Sequence, residues 1–178
     1  MCEIDQKLPR AVEVACPVDS LEQTLTCTIA CIQEIFRINP AFTMTLTRKV
    51  TAQREMTIDG HFVPSGTTIF SSNHVMHHDP AIWGPTHDVY DPDRFLGPNA
   101  ESCKRNLAPF SMVHRMCIGR NMAMINILKV VTTVLKCSKL ESTNPKEKMR
   151  TVSVGNSEKE GPLVVRVRRR NLTGKPGA

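Results

Sequence analysis

The sequence predicts an α+β fold, mainly helical, in one domain over residues 1–178. Three observations carry this. Two stripes of apolar residues recur at helical spacing, a run of short alternating segments with turn residues lies between them, and two further alternating segments follow the second stripe.

The first stripe is Leu21, Leu25, Ile29, Ile32 and Phe36, spaced by steps of three and four and ended by Asn39-Pro40, which predicts a helix near 20–37. The face turned away from the stripe carries Cys27, Ala30, Cys31, Glu34 and Arg37. Glu34 and Arg37, three residues apart, are neighbours on a helix surface. The small residues beside them leave room for another segment to pack closely over the pair.

Residues 43–70 alternate Thr, Leu, Val, Met and Ile, broken by Asp59-Gly60 and by Pro64-Ser65-Gly66, and read as short strands joined by tight turns. Then come His74, His77, His78 and Asp79 within six residues. Such a group could suggest a metal site, but a metal-binding helix needs ligands one turn apart on one face, and Pro80 follows at once. Residues 79–110 hold five prolines and two glycines with little periodicity, a long irregular stretch of the kind that compact domains keep for function. The second stripe is Ile118, Met122, Ile125, Leu128, Val131 and Leu135, predicting a helix near 118–136. Beyond Leu140, Thr151–Val154 and Leu163–Val167 alternate as strands.

Charge and composition exclude several function classes. The net charge of +6 resides wholly from Lys146 onward, where nine Lys and Arg face three Glu; the first 145 residues carry fourteen of each sign. Arg166-Val167-Arg168-Arg169-Arg170 reads as a solvated edge strand, and no interleaved aromatic residues offer a stacking surface, so nucleic acid is not the expected partner. No stretch reaches the roughly 18 apolar residues of a membrane span. The start, Met1-Cys2-Glu3-Ile4-Asp5, lacks a secretory profile. Seven cysteines without a C-x-x-C pair fit reduced intracellular thiols better than a disulfide framework or structural zinc.

Among those thiols Cys117 stands apart. It lies where irregular chain turns into a helix, beside Arg115 and Arg120. Unsatisfied amides, the helix dipole and nearby cations all favour a thiolate. A nucleophile, a metal ligand and an inert structural thiol all remain open on these grounds; His114, three positions before, is a weak signal for a catalytic base.

The segment Pro109-Phe110-Ser111-Met112-Val113-His114-Arg115-Met116-Cys117-Ile118-Gly119 resembles the haem-binding signature F-x-x-G-x-R-x-C-x-G of the cytochrome P-450 monooxygenases. Phe110, Arg115, Cys117 and Gly119 match it, while Val113 stands in the glycine slot. Glu34-Ile35-Phe36-Arg37 is similar to the family's E-x-x-R on helix K, and Tyr90-Asp91-Pro92-Asp93-Arg94-Phe95 to its F-x-P-E-R-F segment. His77-His78-Asp79-Pro80 and Trp83-Gly84-Pro85 resemble phrases of fungal-type members. The likeness covers nearly the whole chain.

The resemblance implies the C-terminal portion of that fold: helix K, short strands, a meander, the Cys loop, helix L and C-terminal strands. It implies haem b as cofactor with Cys117 as axial iron ligand, Phe110 beside the sulfur and porphyrin, Gly119 in the loop, Arg115 on a propionate and Arg48 as a second propionate partner. Glu34, Arg37 and Arg94 would form a buried charge triad. The implied activity is insertion of one oxygen atom from O₂ into a small organic substrate with electrons from an NADPH-cytochrome reductase, in fungal secondary metabolism. Intact relatives are anchored in the endoplasmic reticulum membrane. The resemblance begins near Cys2, in the run from helix J to helix K, so the N-terminal half with its anchor, helix I and most of the substrate pocket are expected outside this chain, and no individual catalytic residue is identifiable. The rival reading is a catalytically inactive remnant that at most binds haem or a partner. Val113 would be strained by about 1–2 kcal/mol if its slot requires a positive φ.

Overall fold

The computed structural model describes residues 3–8, 21, 23–51, 56–144 and 150–171. Its helices are α1 (Glu3–Lys7), α2 (Thr26–Ile38), α3 (Asn73–His77), α4 (Pro80–Trp83), α5 (Ala100–Asn106) and α6 (Arg120–Cys137). The strands are β1 (Arg48–Lys49), β2 (Met56–Ile58), β3 (His61–Val63), β4 (Thr68–Ile69), β5 (Ser138–Ser142), β6 (Thr151–Val154), β7 (Asn156–Lys159) and β8 (Val165–Arg169). Among the described residues the strands pair antiparallel as β1–β4, β2–β3, β5–β8 and β6–β7, and Phe42 adds an isolated antiparallel bridge to Asn156 of β7. Helix exceeds strand, and the small separate sheets make this an α+β fold.

The helix expected near 20–37 is broken. Leu21, Gln23 and Thr24 are helical, Leu25 departs from helical geometry with φ −103° and ψ 58°, and α2 restarts at Thr26. The cause is Glu3. Its carboxylate accepts from the amides of Cys27 (3.1 Å) and Thr28 (2.9 Å) and from the hydroxyls of Thr26 and Thr28. These amides are among those a helix start leaves without internal partners, and an anion there also meets the positive end of the dipole. Burial works against the Glu3 charge, but the bonds from Thr28 and Cys27 outweigh it and hold the carboxyl below its ordinary range.

Two cores lie on opposite faces of α2. On one, Ile32 packs with Ile4, Leu8, Leu21, Leu25 and Leu128, ringed by Ile29, Phe36, Met124, Ile127 and Leu135. On the other, Ala30 meets Trp83 and Phe95, with Cys103 and Leu107 at the edge. The small face of α2 thus admits the 3₁₀ turn Pro92–Phe95 at close range.

Helix α6 buries a different face from the one its apolar stripe suggests. Leu128 and Thr132 are buried, whereas Ile118 and Met122 are exposed, Ile118 fully at 105%. Ile118 precedes the Gly119 N-cap and lies outside the helix, and successive steps of three residues each fall about 60° short of a turn, so Met122 lies well around the helix from Leu128 and Leu135. That leaves apolar side chains facing outward at the mouth of α6.

The hairpin β2–β3 turns at Asp59 (φ 48°) and Gly60 (φ 78°), the two positive φ values of a type I′ connection. The stretch 79–110 is less irregular than expected: it contains α4, the 3₁₀ turn and α5. Asp79 caps Ala81 with Pro80 at the first position, and Asp91 caps Asp93 with Pro92 there, so each Asp-Pro pair starts a turn. β5 and β7 are polar strands beyond those expected, and β5 is held by five register pairs with β8. Among the described residues no helix is long and apolar enough to cross a membrane.

Candidate functional site

Cys117 lies between the 3₁₀ turn Val113–Arg115 and α6, exposed to solvent. Its amide donates to the Phe110 carbonyl at 2.8 Å, closing the loop, and its carbonyl accepts from the Arg120 amide at 3.2 Å. Gly119 is the N-cap of α6; a Cβ there would stand 3.8 Å from Cys117 Sγ, so the glycine leaves that flank of the sulfur uncovered. Near Cys117 along the chain, Met112, Val113, Met116 and Ile118 are all exposed. An exposed thiol thus sits in a loop whose apolar residues are also exposed, apolar area that another apolar body would cover.

The loop backbone is forced. Ser111 (φ 61°) and Val113 (φ 53°) both occupy the left-handed region. For a β-branched residue this costs about 1–2 kcal/mol or more, and Val113, 76% exposed, recovers little by burial. The turn a glycine would make freely is thus made by valine at a cost. Phe110 braces the loop from behind, its ring edge-on to Phe36 of α2 at 5.4 Å and 80°.

Arg115 is exposed and makes no ion pair among the described residues. Arg48 on β1 donates to its neighbour Thr47 and lines an open groove of about 560 Å³ with Met44, Leu46, Phe70 and Ser111. That groove joins β1 to the Cys117 loop. A second cavity, about 650 Å³, lies between α2, α5, the loop and α6, lined by Phe36, Phe110, Met116 and Arg120 among others.

Glu34, Arg37 and Arg94 meet where α2 packs on the segment 77–94. Glu34 and Arg37 are both 0% exposed. Glu34 accepts from Arg37 Nε and Nη2 (both 2.8 Å), from the Asp91 amide (2.9 Å) and from Arg94 Nε (3.2 Å). The remaining Arg37 donors reach the carbonyls of His77, His87 and Val89, so all five of its N–H groups are used. Arg94 also donates to the carbonyls of Trp83 and Thr86. Two guanidiniums share one carboxylate, and backbone carbonyl dipoles solvate the surplus positive charge. Trp83 lies beside Arg37, whose Cζ is 5.2 Å from the ring centroid.

The histidine cluster is dispersed. The rings of His74 and His78 lie 4.3 Å apart near the surface, while His77 is buried and Asp79 is spent on its cap. Among the described residues no group of three Cys, His, Asp or Glu side chains converges as a metal site. Sequence reasoning passed over His77 and Asn73 as structural partners. Both contact Ala108, two residues before Phe110: the Ala108 amide donates to His77 Nε2 at 3.0 Å, and Asn73 Nδ2 donates to the Ala108 carbonyl at 3.1 Å. No sequence periodicity signals a contact across more than thirty residues.

Comparison with known proteins identifies the family. A family model described as Cytochrome P-450 matches residues 1–165. Cytochrome P-450 714C2 of Oryza sativa subsp. japonica is 38% identical over 106 residues, 58% of this chain and 20% of the relative. A cytochrome P-450 monooxygenase of Aspergillus flavus is 32% identical over 144 residues, 80% of this chain and 28% of the relative. The cytochrome P-450 monooxygenase aunB of Aspergillus niger is 36% identical over 94 residues, 53% of this chain and 57% of that protein. The chain thus spans between a fifth and somewhat over half of these relatives. With one family model covering all but the last thirteen residues, this chain belongs to the cytochrome P-450 family.

Proposed function

We propose that this chain is the haem-thiolate portion, corresponding to the C-terminal part of the fold, of a monooxygenase that inserts one oxygen atom from O₂ into an organic substrate. The observation that carries the reading is Cys117: an exposed thiol in a loop braced by Phe110 on Phe36, whose neighbours along the chain Met112, Val113, Met116 and Ile118 are exposed as well. The residues present fit a haem. The exposed apolar residues of the loop suit a porphyrin face, the open flank at Gly119 suits a metal at the sulfur, and Arg115, exposed, has a guanidinium available for a carboxylate.

Cys117 would hold the iron of haem b, and Phe110, braced on Phe36, would pack against sulfur and ring. Arg115 would pair with one propionate, and Arg48, from the groove it shares with Ser111, with the other. When bound, haem supplies oxygen activation, and a thiolate ligand favours O–O cleavage. The Glu34–Arg37–Arg94 cluster would tie α2 to the segment 77–94. Electrons would come from an NADPH-cytochrome reductase, with the intact protein at the endoplasmic reticulum membrane. The fungal-type phrases and the Aspergillus relatives support a role in fungal secondary metabolism.

Reconstitution with haem tests the assignment. The reduced carbon monoxide complex is expected to show a thiolate-type band, lost in Cys117→Ala. A band typical of histidine-ligated or free haem in the wild-type chain would overturn it.

A further inference from the structure

The buried histidine of α3 has no part in the chemistry described so far, yet its surroundings are specific. His77 is 0% exposed, and its Nε2 accepts the Ala108 amide at 3.0 Å. An acceptor at Nε2 requires a lone pair there, which puts the ring proton on Nδ1. Nδ1 closes no hydrogen bond among the described residues; the Phe36 carbonyl bears on the ring's protonation without meeting hydrogen-bond geometry. Leaving one nitrogen of a fully buried ring unsatisfied costs free energy, so the bond at the other nitrogen is the ring's one polar compensation among the described residues.

The bond falls on a chosen peptide. Ala108 is gripped at both backbone groups from α3, its N–H by His77 and its C=O by Asn73. From Ala108 the chain runs through Pro109 to Phe110, whose carbonyl takes the Cys117 amide, and the Ser111 amide returns to the Ala108 carbonyl. Helix α3 is fixed in turn: Arg37 Nη1 donates to the His77 carbonyl at 2.8 Å, Trp83 Nε1 to the Met76 carbonyl at 2.9 Å, and Ser72 caps Val75. A continuous line of hydrogen bonds therefore leads from the buried charge cluster through α3 to the loop that carries the sulfur.

We propose that His77, as its neutral Nδ1–H tautomer, is a positioning residue for the Cys117 loop, acting with Asn73 as a two-point clamp on the Ala108 peptide. The clamp pins one end of the loop while α6 holds the other, so the strained turn at Ser111 and Val113 is maintained rather than relaxed. Its consequence for haem ligation rests on the proposed haem-thiolate function; its consequence for loop order does not.

The test uses the 178-residue chain with His77→Gln, which can keep an acceptor near the Nε2 position, His77→Leu, which fills space without one, and Asn73→Ala. Amide hydrogen exchange without haem is the first readout. Loss of either clamp point should speed exchange at Cys117 about tenfold, the scale of one net hydrogen bond, with Ala108 following in His77→Leu, while Leu128 in the core keeps its protection and His77→Gln stays near wild type. Haem titration is the second: His77→Leu should weaken binding about tenfold and mix a non-thiolate band into the reduced carbon monoxide spectrum. Unchanged Cys117 exchange in both His77→Leu and Asn73→Ala would overturn the clamp. If His77→Leu loses Leu128 protection as well, the Asn73→Ala exchange alone decides. A wild-type chain with no thiolate band would refute the functional reading and leave the exchange test of the clamp standing.

Discussion

Replacing Glu34 by Gln keeps shape and removes one charge at the most crowded polar point of the fold. Glu34 Oε1 receives three donors, from Arg37 Nη2, Asp91 N and Arg94 Nε, and Oε2 receives Arg37 Nε. A glutamine oxygen can satisfy the triple position only by placing its amide –NH₂ against the Arg37 Nε–H, donor against donor. Arg37, 0% exposed, then keeps its charge without a counter-ion. Breaking a buried pair in this way costs about 3–5 kcal/mol, a large share of the roughly 5–15 kcal/mol that holds a typical domain folded. With a urea m-value of about 2 kcal/mol per molar, the midpoint should fall by about 2 M. Trp83, the lone tryptophan, is buried against Arg37 and reports the cluster directly by fluorescence. A midpoint within about 0.3 M of wild type would refute the reasoning, since it would mean that the carboxylate's net contribution is that of an exposed pair.

Two further outcomes follow from the same geometry. Val113→Gly should raise the urea midpoint by the equivalent of about 1 kcal/mol, because relief of the positive φ exceeds the added freedom of the unfolded chain and the exposed valine forfeits little burial; a lower midpoint would show that the side chain contributes more than its strain costs. Stability should also fall in mild acid. Burial first, then the charges of His78 and Arg37, push His77 from its ordinary 6.5 down to about 4 against the pull of the Phe36 carbonyl, with His74 acting in the same lowering sense. Above pH 6.5 both folded and unfolded chains hold a neutral ring; below it the unfolded chain takes the proton first. The stability is full above pH 6.5 and declines by about 3 kcal/mol as pH falls to about 4. The slope should be flatter in His77→Gln, and an equally steep slope there would assign the loss to other groups.

Periodicity and turn chemistry, which are local, left a readable record. The two long helices, the Asp59-Gly60 hairpin and the Cys117 loop follow from spacings and residue types within about twenty positions of one another. The Asp-Pro starts at Asp79 and Asp91 were equally local signals, overlooked in a proline-rich stretch. The break at Leu25 was not legible, because the carboxylate that caps α2 comes from Glu3, more than twenty residues away. Nor was the buried face of α6, since its apolar residues populate more than one side and only contact with Ile4, Leu21 and Ile32 selects which is covered. Cys117, Glu34, Arg37 and Arg94 could be named as chemistry from their motifs. That one carboxylate serves two guanidiniums, and that a histidine bond ties this cluster toward the sulfur's loop, depended on chain packing, because hydrogen bonds between distant segments have no sequence period and are fixed only when burial demands a partner for every polar group.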